Sequence, residues 1–315
     1  MNNSWEEIII VGLGNHSKTK IIPAIEKTCL SKISILSTQT LLDSKYKIYN
    51  SLEKALEKNQ KKLFVLTNPP KLHYEYSKKI LNNGFDLFIE KPIFLNNSEL
   101  EETINIAKTK RLVLYEMLMY LENDTINETL DLIKNNLNNI QNIYTCFNLP
   151  SYPINTYRNE KYFSSSLVTD IGCYPFSFLS NFEYHAKFME FKKNSNIKNN
   201  PLYEIILKGE KFDVNIQMGI NRIYSNLLRI LFDNQDFIDI SPFYYGRNHE
   251  NTKIKSSSGV IYIDKIIEKN AYEKMFLKRR IELMSTQENR FKKMKKTIKL
   301  FNMLRKLWWI KLNQK

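Results

Sequence analysis

The chain has 315 residues, 43% of them hydrophobic, 12% aromatic and 25% charged, which excludes a disordered or fibrous protein and leaves room for two domains with buried cores. Three scattered cysteines (Cys29, Cys146, Cys173) and four histidines with no pair at ligand spacing exclude a disulfide framework and argue against a metal centre. The net charge of +14 is concentrated in the tail, where Arg290 to Lys315 hold ten Lys or Arg and no acid, leaving +4 for the rest; no zinc-finger, RRM or helix-turn-helix pattern accompanies it, so no nucleic-acid partner is expected.

The start, "MNNSWEEIIIVGLG", is acidic before a short apolar run, unlike a secretory signal. No window approaches the ~20 apolar residues of a membrane span, and a cytoplasmic protein is expected. "EIIIVG" (7–12), "KISILS" (32–37), "KLFVLT" (62–67), "DLFIE" (86–90) and "RLVLYE" (111–116) are continuous apolar runs, as in strands buried on both faces. Helical patterns separate them at 18–29, 51–59, 71–82 and 98–109. The alternation predicts an α/β, doubly wound parallel sheet.

From about residue 124 the pattern changes. A helix over 124–137 leads into strand-like "NIYTCFNL", a loop and a helix near 173–182. Strands are expected at 187–192, 203–209, 211–218, 226–232, 236–240 and 259–263, and helix over 269–312. An α+β domain with a mostly antiparallel open sheet follows. The expected domains are 1–122, 123–289 and a basic amphipathic helix over 290–315.

In "IIIVGLGNHSKTKIIPAI", Gly12 and Gly14 follow the first strand and open a helix. Such glycines let the backbone approach a pyrophosphate at a helix N-terminus, with Asn15 and His16 alongside. Ser17 stands where the third glycine of the dinucleotide pattern belongs. The acid expected after the second strand is replaced by Ser37, Thr38 and Gln39, which can hydrogen-bond a ribose or a 2′-phosphate. NAD and NADP both remain candidates.

"DLFIEKPIFL" (86–95) ends a strand in Glu90, Lys91 and Pro92, at the edge where open α/β sheets bind ligands. Pro92 keeps Lys91 out of the helical region, so its ammonium is held on an extended or turn backbone.

"TNPPKLHYEYSKKILNNGFDLFIEKP" (67–92) resembles the central segment of the glucose–fructose oxidoreductase / inositol dehydrogenase / MocA (Gfo/Idh/MocA) family, with Thr67, Asn68, His73, Glu90, Lys91 and Pro92 matching. "GLGNHSKTKIIPAI" fits that family's first turn, and "SSSLVTDIGCYPFSFL" (164–179) is similar to its Asp-x-Gly-x-His segment in the form where Tyr replaces His. "EMLMYLEND" (116–124) echoes the segment after the fifth strand, with Leu121 where an Arg is usual; Ser164–Ser166 replace glycines, and Ser177 stands where an acid is frequent.

The resemblance implies an NAD or NADP cofactor held by the Gly12–His16 turn, Ser37, Thr38, Thr67, Asn68, His73, Glu90 and Lys91. It makes Tyr174 the acid–base group on a sugar hydroxyl. A free phenol, with pKa ≈ 10, is too basic for this unless a cation lowers it; Lys91 is the candidate. Asp170 orients the substrate or the Lys–Tyr pair, Arg158 binds a substrate hydroxyl, and Glu90 holds the turn. Pro175 suits only the first turn of a helix, which places Asp170 near its cap. The implied function is oxidation or reduction of a sugar or nucleotide-sugar, with surface-glycan synthesis as a setting and a homodimer or homotetramer as the assembly. A reductase of a non-sugar carbonyl or cyclic substrate and a non-catalytic nucleotide-binding relative are the alternatives.

In the tail, Phe291, Met294, Ile298, Phe301, Arg305, Trp308 and Leu312 fall at three- and four-residue steps, on a face that is apolar apart from Arg305. That face packs on the protein, lies on the anionic inner surface of a membrane, or binds a partner.

Overall fold

A computed structural model describes residues 5–28, 31–37, 45–57, 60–151, 158, 162, 166–194, 201–245, 252–256, 259–263 and 270–313. The chain forms two compact units, Met1–Leu118 with Tyr272–Lys295, and Met119–Ala271 with Lys296–Lys315.

The first unit is built on six parallel strands: β1 (Glu7–Val11), β2 (Lys32–Leu36), β3 (Lys47–Tyr49), β4 (Lys62–Leu66), β5 (Asp86–Glu90) and β6 (Leu114–Met117). Their order is β3-β2-β1-β4-β5-β6, the doubly wound arrangement of dinucleotide-binding domains. Ile8, Ile9, Ile10 and Leu63–Leu66 are all buried, which is why these strands read as unbroken apolar runs. The linking helices are α1 (Ile22–Thr28), α2 (Leu52–Ala55), α3 (His73–Asn82) and α4 (Asn97–Thr109). Asn96 caps α4 by accepting the Glu99 N–H at 2.8 Å.

Three details depart from expectation. β3 is a three-residue edge strand, too short to leave a pattern. Helix α2 ends at Ala55 rather than 59. The strand expected from 111 begins at Leu114, because Arg111 takes φ 53° in the turn that closes α4.

The segment from Tyr272 returns to this unit through α7 (Ala271–Leu277), α8 (Arg280–Ser285) and the start of α9 (Gln287–Asn313), so the helix expected over 269–312 is broken into three. Arg280 and Gln287 are among the side chains that anchor it. Arg280 binds Asp86 through Nε at 2.7 Å, and the same carboxylate accepts from Trp5 Nε1 and the Val113 N–H. The Gln287 amide accepts from the Leu114 N–H at 3.0 Å and donates to the Leu112 carbonyl at 3.1 Å. It thereby satisfies part of the open edge of β6. In the middle of the sheet, at the amino-terminal ends of β1 and β4, Lys62 is buried, donating to the Ala55 and Glu57 carbonyls near the buried Glu7 carboxylate.

The second unit contains α5 (Asp124–Asn135), β7 (Ile140–Leu149), α6 (Leu167–Leu179), β8 (Ala186–Asn194), β9 (Leu202–Gly209), β10 (Asp213–Ile220), β11 (Ser225–Phe232), β12 (Phe237–Ser241), β13 (Thr252–Ser256) and β14 (Gly259–Ile263). The strands form one sheet in the order β14-β13-β12-β11-β7-β10-β9-β8, in which β7 and β10 pair in parallel and the remaining pairs are antiparallel. Alternate residues (Tyr203, Ile205, Leu207; Val214, Ile216, Met218) are buried while their neighbours are half-buried, the signature of a sheet covered on one face.

Helix α6 starts at Leu167, six residues earlier than expected, with Ser166 accepting the Thr169 N–H as its cap. Pro175 therefore lies inside the helix rather than in its first turn. The proline does not mark the helix start: every residue of α6 is buried, and packing outweighs the one lost helical hydrogen bond. The apolar face of α9 is buried at Phe291, Met294, Ile298, Phe301, Leu304 and Trp308, with Trp308 packed on Phe191 and Tyr203 in the second unit. Self-packing thus accounts for the described part of that face. No described helix is long and apolar enough to cross a membrane.

Candidate active site

In the first unit the expected cofactor residues gather at the carboxyl ends of β1, β4 and β5. Gly12 has φ +95°, and a Cβ there would lie 3.2 Å from the Asn68 backbone nitrogen, so only glycine suits the turn. A Cβ on Gly14 would meet nothing within 4 Å, and this side of the turn is open to a ligand. Ser17 is fully buried; its Oγ lies 3.1 Å from both the Gly12 and Gly14 carbonyls and 3.3 Å from Thr67 Oγ1, which itself donates to the Gly12 carbonyl at 2.8 Å. The missing third glycine is thus replaced by a hydroxyl that ties the turn together.

Asn68 reaches this turn from the end of β4. Both ends of its side-chain amide are buried and have no hydrogen-bond partner. An orphaned amide costs about 1–3 kcal/mol in an apolar surrounding, and such a group beside an open glycine turn fits the polar edge of a dinucleotide. Gly12, Gly14 and Asn68 together suit an NAD or NADP pyrophosphate at the start of the first helix. Ser37 follows β2, its N–H bonded to the Tyr49 carbonyl; Thr38 and Gln39 lie outside the described residues.

His16 and Glu90 meet directly, Nε2 to Oε1 at 2.9 Å, linking the glycine turn to the end of β5. Asn15 is exposed in the turn. Burial pushes the Glu90 carboxyl upward, but His16, the Lys91 charge and the Lys91 N–H outweigh it and hold the group below its ordinary value. Lys91 is half-buried on the turn after β5.

His73, expected at the cofactor, lies behind the Asn68 and Lys91 turns. It is fully buried, with Nδ1 3.1 Å from the Pro92 and Ile93 carbonyls and Nε2 3.0 Å from the Asn68 carbonyl. Burial lowers its pKa in spite of those carbonyls, so the ring is neutral and has one N–H for three acceptors. It braces the Asn68 turn against the Lys91 turn.

A residue that motif reading passed over is Glu116 on β6. Only 6% exposed, it accepts the Ile93 N–H at 3.0 Å. Burial, reinforced by Glu90, raises its carboxyl to about 7 against the lowering effects of that hydrogen bond and Lys91. The available signal was an acid at the carboxyl end of the run "RLVLYE".

In the second unit, Arg158 Nε binds Asp170 Oδ2 at 2.7 Å. Asp170 lies in the first turns of α6, beyond the Ser166 cap. Tyr174, one turn later, is 7% exposed and enclosed by the rings of Tyr120, Phe147 and Tyr244 at 5.6–5.7 Å, with its hydroxyl 3.7 Å from Met119 Sδ. Ser177, where an acid was expected, bonds the Tyr120 hydroxyl at 2.8 Å and supports this aromatic cluster. Asn226 fixes the segment bearing Tyr244 by accepting the Phe243 and Tyr244 N–H groups and donating to the Tyr244 carbonyl. No group of metal-binding side chains occurs among the described residues.

Comparison with known proteins agrees with this geometry. Residues 7–117 match the GFO_IDH_MocA family, described as an oxidoreductase family with an NAD-binding Rossmann fold. An uncharacterized oxidoreductase of Schizosaccharomyces pombe is 35% identical over 68 residues, 22% of this chain and 18% of its own length. The dTDP-3,4-didehydro-2,6-dideoxy-alpha-D-glucose 3-reductase of Actinomadura kijaniata is 21% identical over 177 residues, 53% of this chain. The matches thus span only 18% and 52% of these curated relatives.

Among solved structures, KijD10, a 3-ketoreductase from Actinomadura kijaniata in complex with NADP and TDP-benzene, aligns with TM-score 0.75 and 15% identity over 95% of this chain and 97% of its own. The aldose-aldose oxidoreductase of Caulobacter crescentus, complexed with glycerol, gives TM-score 0.76 and 13% identity over 96% of each chain. At such identities these two establish the fold alone. The first unit is thus similar, over residues 7–117, to the NAD-binding Rossmann domain of the Gfo/Idh/MocA oxidoreductases.

Proposed function

We propose that this protein is an NAD(P)-dependent oxidoreductase that interconverts a hydroxyl and a carbonyl on a sugar or nucleotide-linked sugar. The observation that carries the proposal is the orphaned Asn68 amide beside the open Gly12–Gly14 turn, inside a domain similar to that of the family. When bound, the nicotinamide supplies or accepts the hydride. Tyr174 gives a proton to the carbonyl oxygen in reduction, or takes it from the hydroxyl in oxidation. Lys91 supplies the cation that lowers the cost of a phenolate. Asp170 and Arg158, held together as an ion pair, bind substrate hydroxyls.

The sugar-linked class is supported by two relatives. One is named for a dTDP-linked keto-sugar and the other for aldoses. Structures of KijD10 also include variants of one of its lysines and one of its tyrosines, the residue types assigned here.

Asn68→Ala tests the proposal. Removing an unpaired buried amide should leave the unliganded protein as stable as wild type or more so, while NADPH and NADH bind about tenfold more weakly for want of one hydrogen bond. Thermal melts and calorimetric titration read both effects. Unchanged affinity for both dinucleotides would remove Asn68 from the cofactor site and leave the proposal without its main support.

A further inference from the structure

Lys91 emerges from β5, and β6 lies beside it in parallel register, with Ile89 opposite Glu116 and Glu90 opposite Met117. Glu116 is thus the neighbour of the residues that lead into the Lys91 turn. Its carboxylate oxygen takes the Ile93 N–H at 3.0 Å, while the Pro92 and Ile93 carbonyls face the His73 ring. The turn is therefore gripped through its backbone, by an acceptor on β6 and by an imidazole on α3.

We propose that Glu116 is a positioning residue for Lys91, fixing the Lys91–Ile93 turn through the Ile93 N–H and setting, by its own ionisation, the charge felt by the Lys91 ammonium. The catalytic meaning of this role rests on the function proposed above; the physical linkage between the two side chains does not.

The groups that share this environment are few. Glu90 lies at the end of β5 and is paired with His16, whose ring rests against Tyr272. Lys91 stands on the turn, and His73 is neutral behind it. Glu116 interacts electrostatically with both Glu90 and Lys91. Of these, Glu116 is a carboxyl raised to about 7, so it changes charge across the neutral range.

The linkage can be read without substrate or cofactor. The full-length protein is acetylated with trace acetic anhydride from about pH 6 to 10, a span chosen to bracket both groups. Reactivity of the Lys91 amine is followed by peptide mass spectrometry against a free-amine standard. In wild type the Lys91 curve should depart from a one-proton titration near neutrality.

Glu116→Gln keeps an acceptor for the Ile93 N–H but cannot ionise. It should abolish that departure and raise Lys91 reactivity about threefold at mildly alkaline pH, because the amine loses a neighbouring anion. A wild-type curve that follows a single proton, or superimposable wild-type and Glu116→Gln curves, overturns the proposal. If Glu116→Gln lacks the native circular dichroism spectrum, the wild-type curve alone decides. Turnover of Lys91→Ala tests the catalytic role separately, so the two failures are distinguishable.

Discussion

Lys91→Ala is expected to lose about a thousandfold in kcat, within the range ascribed to a positioned acid–base group, while NADPH affinity changes by less than about fivefold, or ~1 kcal/mol. The large effect follows from how much of the structure is committed to this one side chain. The turn after β5 is held by the Glu116 carboxylate and the His73 ring, and Glu90 is held by His16 and the Lys91 N–H. An ammonium on so constrained a backbone is preorganised, and a flexible substitute cannot recover its contribution. Lys91→Arg should be nearly as impaired, because a planar guanidinium is not a point charge and cannot occupy the same position. Calorimetry reports the affinity and dinucleotide absorbance the turnover. Wild-type kcat in Lys91→Ala would assign the cation role to another residue.

Asp86→Ala is expected to destabilise the protein by about 3 kcal/mol, the low end for breaking a buried charged network, since Arg280 is partly exposed and can be resolvated. Asp86 accepts from Trp5, Arg280 and the Val113 backbone at 2.7–2.8 Å. Its removal strands a buried indole N–H and a strand-edge N–H, and it detaches the helical return from the sheet. Asp86→Asn, which retains an acceptor, should lose about half as much. Urea unfolding gives the midpoint shift at constant slope. A shift within the error of wild type would show that Gln287, at the edge of β6, suffices to hold the return.

The first unit was legible because β1, β4, β5 and β6 are buried on both faces, so apolar runs mark them directly, and because Gly12 and Pro92 suit backbone states that few other residues allow. The same logic failed at β3, whose three residues leave no pattern, and at α6. There a proline reads as a start signal, although Ser166 supplies the cap and complete burial tolerates the proline inside.

The motifs single out Lys91 and Tyr174 but not what surrounds them. Glu116 lies twenty-five residues beyond Lys91 in sequence, and it comes near only because β5 and β6 are adjacent in the sheet. The neutral brace formed by His73 was hidden for a related reason. Burial, which no local pattern reveals, decided its protonation and its role.

The central claim, hydride transfer on a dinucleotide bound by this Rossmann domain, is tested most directly by isotope transfer. Wild type and Tyr174→Phe are incubated with NADPH and NADH deuterated at the reactive carbon, together with dTDP-linked keto-sugars and free aldoses. The products are analysed by mass spectrometry. One deuterium should appear on a sugar product with wild type, and at least about a hundredfold less with Tyr174→Phe. If neither dinucleotide binds in calorimetry and no deuterium reaches any sugar, the protein is not an oxidoreductase of this kind.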